Sequence, residues 1–124
     1  MSKFQSNKIE KIKDNDLLLR RIIHAPPDFI IKPDGTPSSS NFSISKDEDG
    51  LSVDIKRLTT YEKAAIDYKV YKLYGLTASF THSLNLENVH APLRDNPAHA
   101  LIKGTFTKGI SRKLAKKAVF VTRW

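Results

Sequence analysis

The run Leu17-Leu18-Leu19-Arg20-Arg21-Ile22-Ile23 places two consecutive guanidinium groups inside an otherwise apolar segment. It is far too short to span a bilayer and has the length of a buried strand. A strand repeats every two residues, so Arg20 and Arg21 must point to opposite faces. One shares its direction with Leu18 and Ile22, the other with Leu19 and Ile23. An arginine beneath a covered sheet face is costly unless it is partnered. A carboxylate such as Asp54 is the expected partner, and the alternative is a guanidinium that grips an anion in a cleft.

Upstream of this run, residues 1–15 read as a flexible leader, in which Phe4, Ile9 and Ile12 could mark a short amphipathic turn. The leader has no apolar stretch of the signal-peptide kind, and a cytoplasmic location is expected. Residues 16–124 read as a single domain, long enough to bury one core without staples.

Downstream, Ala25-Pro26-Pro27-Asp28 stops the strand, because proline cannot continue a central ladder. Phe29-Ile30-Ile31 is a second short apolar run. Pro33-Asp34-Gly35 reads as a turn with glycine at positive φ, and Phe42 as the anchor of the polar segment Ser38–Asn41. After the acidic turn 46–50, Leu51-Ser52-Val53-Asp54-Ile55 alternates strictly, as a half-buried strand does. Thr59 and Glu62 stand at capping-box spacing, which predicts a helix to about Tyr71 or Tyr74 with Gly75 beyond its end. Leu76 to Leu84 alternates apolar and hydroxyl residues and predicts a strand that buries His82. Residues 90–97 read as a loop and His99–Lys103 as a strand ended by Gly104. Thr107–Ala118 is a second helix with Ile110, Leu114 and Ala118 inward, after which Phe120 and Val121 return to the core. The order of elements gives the α+β class: a small, mainly antiparallel sheet packed by two helices.

Charge is segregated along this chain. Residues 1–95 carry 14 Lys+Arg against 13 Asp+Glu, whereas residues 96–124 carry seven cations and no acid. Ordinary exposed helices mix signs to form i,i+4 pairs, and this one does not. Arg112-Lys113 and Lys116-Lys117 recur one turn apart and share a face. Lys103, Lys108, Arg112, Lys113, Lys116 and Lys117 are therefore the candidate nucleic-acid-binding residues, with RNA favoured because no helix-turn-helix signature is evident. The helix start at Thr107-Lys108-Gly109 could also face a single phosphate, and the Ser38–Asn41 hydroxyls could contact one. The partner is expected to be nucleic acid or another polyanion, or else an acidic protein, and not a membrane.

The candidate catalytic set is His99 with Arg20 and Arg21. A histidine supplies a base or acid near neutral pH, and a guanidinium supplies the cation for a phosphorane. Together with a nearby hydroxyl they would suit metal-independent phosphodiester cleavage. His24, His82 and His90 are weaker choices: a strand-end residue, a core residue and a surface loop residue respectively. Cysteine is absent, which excludes disulfides, thiolate metal sites and a cysteine nucleophile. HExxH, GxSxG and glycine-rich phosphate-loop patterns are also missing, and no metal or cofactor is expected.

Overall fold

The computed structural model describes residues 9–23 and 34–124. The strands are β1 (Leu17–Ile23), β2 (Leu51–Ile55), β3 (Tyr71–Thr77), β4 (Glu87–His90), β5 (His99–Lys103) and β6 (Val119–Val121). The helices are α1 (Tyr61–Ala65), α2 (Ala78–Ser83) and α3 (Lys108–Lys117). Among the described residues, the six strands form one antiparallel sheet in the order β4-β5-β2-β1-β3-β6. The class is α+β, with three α-helices among the described residues where two were expected. His24 and the apolar run Phe29-Ile30-Ile31 lie outside the described residues.

Strand alternation assigns the two faces. Leu18, Ile22, Leu51, Val53 and Ile55 point to one side, where they bury Phe42 and meet Leu114 and Ala115 of α3. Burying one such side chain stabilises the fold by roughly 2 kcal/mol. On the other side, Leu19, Leu73 and Val121 pack against Ala64 and Ala65 of α1. Register places Asp54 opposite both Leu19 and His99, so Asp54 and His99 share this second face. Ser52, two residues from Asp54, stands there too.

Two long expectations fail between residues 66 and 84. The helix opened by Tyr61 ends after Ala65, and its cap is Thr60 rather than Thr59: Thr60 Oγ1 accepts from Lys63 N. Ile66 takes φ +64°, a strained conformation for a β-branched residue. Asp67 then accepts from Lys69 N through its side chain and from Val70 N and Tyr71 N through its carbonyl, which turns the chain into β3. Tyr71–Thr77 is thus an interior strand and not a helix end. Leu73 is buried on one face and Tyr74 and Leu76 on the other, so the segment lacks a clean alternation. Gly75 is mid-strand, where an added Cβ would come within 2.9 Å of the Leu17 side chain.

The predicted strand over 76–84 is instead the end of β3 followed by α2. Thr77 Oγ1 accepts from Phe80 N, and the next free N–H groups, of Ala78 and Ser79, donate to the carbonyls of Asp16 and Asp14. A neighbouring segment therefore satisfies the helix start, which outweighs the local β pattern. Ala78 and Thr81, three residues apart, bury the inner side of this helix.

The segment that supplies those carbonyls is itself held. Arg57 donates to both carboxylate oxygens of Asp16 (2.7 and 3.3 Å), to Glu10 Oε1 (2.6 Å) and to the Lys11 carbonyl. Burial raises the Asp16 pKa, but Arg57 and the Lys13 N–H outweigh it and bring the carboxyl below its ordinary value. At the other end of the chain, Val121 returns to the core as expected. Phe120 does not: it is 51% exposed, with its ring 5.7 Å from that of Tyr74.

Candidate functional site

The outer face of α3 is built from its inner one. Thr107 Oγ1 accepts from Ile110 N and starts the helix. Ser111 Oγ donates to the Phe42 carbonyl, and Leu114 and Ala115 are buried beside it. With the helix so oriented, Arg112, Lys113, Lys116 and Lys117 are all exposed, as is Lys108 in the first turn. Among the described residues none of these five joins an ion pair. Lys117 instead lies 5.6 Å from the centre of the Phe80 ring of α2, a neighbour not foreseen from sequence.

Lys103 does not belong to this set. It stands on the sheet face opposite the one α3 covers, and its Nζ lies 3.2 Å from Asp49. The Ser38 and Ser40 hydroxyls are engaged locally: Ser38 Oγ accepts from Ser40 N and lies 3.0 Å from Ser40 Oγ.

The second feature lies where β1 and β2 part. Their ladder comprises Leu18↔Ile55 and Leu19↔Asp54. Just beyond it, the Arg20 side chain donates from Nε to the Asn41 carbonyl and from Nη1 to the Ser52 carbonyl, both at 2.8 Å. Arg20 is thus partnered by backbone oxygens and not by Asp54, as the sequence had suggested. Burial lowers its pKa, and the charge of Glu48 opposes that shift. Asp54 accepts instead from Asn96 Nδ2 at 2.9 Å. Arg21, on the opposite face as predicted, donates to the Ala64 carbonyl and lies 5.7 Å from the Tyr71 ring centre.

Arg20, Arg21 and His99 line one cavity of about 250 Å³, together with Ser52, Asp54 and Asn96. The three residues singled out as a catalytic set are therefore brought together. His99 Nδ1 lies 2.8 Å from the Ala91 carbonyl oxygen, which can only accept, so Nδ1 carries the proton. In the neutral ring Nε2 is then an acceptor, and Ser52 Oγ, 3.3 Å away, is placed to donate to it. Ser52 was not named from sequence, although its place beside Asp54 follows from the alternation in β2.

The other described histidines go elsewhere. His82 is exposed on α2 and is not a core residue. His90 is no surface loop residue: it is buried at the end of β4, its Nδ1 accepts from Glu10 N and its Nε2 donates to the Pro97 carbonyl. A larger groove of about 770 Å³ contains His82, but Lys11, Lys13, Asp14 and Glu87 give it mixed charge. Among the described residues no group of three or more His, Asp or Glu side chains is placed to hold a metal ion, and no helix is long and apolar enough to cross a membrane. Comparison with protein families, curated proteins and solved structures finds no match to this chain.

Proposed function

We propose that the protein binds nucleic acid, RNA in preference to duplex DNA, through the outer face of α3. The observation that carries this reading is that Arg112, Lys113, Lys116 and Lys117 are exposed together with no carboxylate paired to any of them among the described residues. Unpaired cations one turn apart match the repeating charge of a phosphate backbone, and releasing condensed counterions drives the association. The Phe80 ring beside Lys117 offers an apolar surface to an unstacked base. Duplex DNA is the weaker choice because α3 follows a β-hairpin and not the first helix of a helix-turn-helix pair.

Replacing Arg112, Lys113, Lys116 and Lys117 with Glu tests the reading. The four side chains are exposed, so the melting transition should barely move, while binding of a fluorescent single-stranded RNA should be abolished. Undiminished binding by the folded variant would reject the assignment. Loss of an acidic protein partner, with RNA never bound at all, would transfer the same surface to protein docking.

A further inference from the structure

Beyond the nucleic-acid reading, and independent of it, we infer that the cavity between β1, β2 and β5 is a covalent phosphoryl-transfer site in which Ser52 is the nucleophile and His99 its base, acting on small anionic phosphoric esters.

Three observations converge on this site. The first is a directed chain of hydrogen bonds. The Ala91 carbonyl fixes the proton on His99 Nδ1, and this leaves Nε2 to take the proton of Ser52 Oγ. A nucleophile, a base and a group that orients the base are the parts an activated serine requires. Here a backbone carbonyl fills the orienting place that a carboxylate often takes.

The second observation is that His99 is the cavity's one imidazole among the described residues. Cleavage without a covalent intermediate would require a separate acid beside the base. The carboxylate present, Asp54, is held by Asn96 as an acceptor and is poorly suited to donate. A two-step route needs only one histidine, because the same Nε2 accepts a proton and then returns it.

The third is charge and size. Among the described residues, two guanidinium groups and one amide-bound carboxylate line the space, a net positive lining. Arg20 is a positioning residue, since it holds the Ser52 carbonyl and with it the backbone that aims Oγ. Arg21, exposed at the cavity wall, is the cation available to an incoming phosphoryl oxygen. A volume of about 250 Å³ has room for a phosphoryl group and a few further atoms. Ser52 and His99 also stand on the sheet face opposite the one α3 covers, while Arg20 points to the α3 side and reaches the cavity where β1 and β2 part.

The reaction balances without a further reagent other than water. Ser52 Oγ forms a bond to phosphorus as the bond to the leaving oxygen breaks. The serine proton passes to His99 Nε2 and on to the leaving oxygen, which departs as the alcohol. Water then attacks the phosphoserine, its proton goes to Nε2, the Oγ–phosphorus bond breaks, and Ser52 recovers the proton as phosphate leaves.

The direct test uses diisopropyl fluorophosphate, whose fluoride is displaced by an activated serine hydroxyl. After treatment of the folded protein, peptide mapping should find a single adduct on Ser52, absent from Ser52→Ala. His99→Asn should slow labelling about 100-fold, the scale of a lost general base, with an unchanged melt to show that the fold persists. Millimolar inorganic phosphate should slow the wild-type reaction. Ser52 that reacts no faster than the other serines would overturn the proposal, as would equal labelling of the folded His99→Asn protein. Labelling of Ser52 that phosphate leaves unaffected would overturn the anionic-ester assignment.

Discussion

The outer face of α3 and the cavity between β1, β2 and β5 hold their cations in opposite ways. On α3 the side chains are exposed and joined to no carboxylate among the described residues. In the cavity, Arg20 is fixed by two carbonyls and Arg21 by one. Free cations act by number and distance, so their effects should add and should fade with salt. Fixed cations act by position, so a single change should be costly and salt should matter little. Under the proposed reading, one set of cations serves long-range attraction and the other is part of a built structure.

The largest effect is expected where a fixed cation is removed. Arg20→Met removes the guanidinium that donates to the Asn41 and Ser52 carbonyls and should loosen the β1–β2 junction. Chemical denaturation should show a loss of about 3 kcal/mol. A loss below about 0.5 kcal/mol would erase the distinction between the two regions, because Arg20 would then behave like a surface residue.

The core beneath α3 comes next. Leu114→Ala should cost about 2–3 kcal/mol, since Leu114 is fully buried in the main cluster. Its effect on the cavity should be small, and an equal loss of Ser52 reactivity would show that the two faces are coupled.

Arg57 extends the comparison to a third cation, also of the fixed kind. The Asp16 carboxyl is held below its ordinary value in the folded protein. The link from Arg57 therefore contributes in full above a pH of about 4 and is lost as the pH falls through the lowered folded value. Amide exchange of residues 10–16 should accelerate in that acid range. At neutral pH, moderate salt should leave it nearly unchanged. Faster exchange in salt at neutral pH would place Arg57 with the α3 cations.

The smallest effect is expected for one free cation. Lys113→Ala should change stability by less than about 0.5 kcal/mol and lower the salt slope of RNA binding by about 0.7. A larger change in stability would mean that this side chain is fixed after all.

Sequence alone carried some of this and not the rest, for reasons that lie in particular residues. β1, β2, β5 and α3 were legible because each buries one clear stripe or run, and the opposite directions of Arg20 and Arg21 followed from the period of β1. Residues 66–84 were misread because the deciding partners are distant. The carbonyls of Asp14 and Asp16 open α2, and β3 is buried on both faces and loses its alternation. For the same reason, the backbone partners of Arg20 and His90 could not be seen: backbone groups carry no residue signature. The grouping of His99 with Arg20 and Arg21 was anticipated, but Ser52 emerged only once β2 and β5 were in register.

The measurement that bears most directly on the account is the affinity for a short single-stranded RNA across a salt series, for the wild-type protein and for the variant with Glu at the four α3 positions. Four phosphate contacts predict a slope of about −3 in log K against log salt for the wild type, and the variant should show no measurable binding. A flat salt dependence, or equal binding by the folded variant, would contradict the claim that α3 is the nucleic-acid surface.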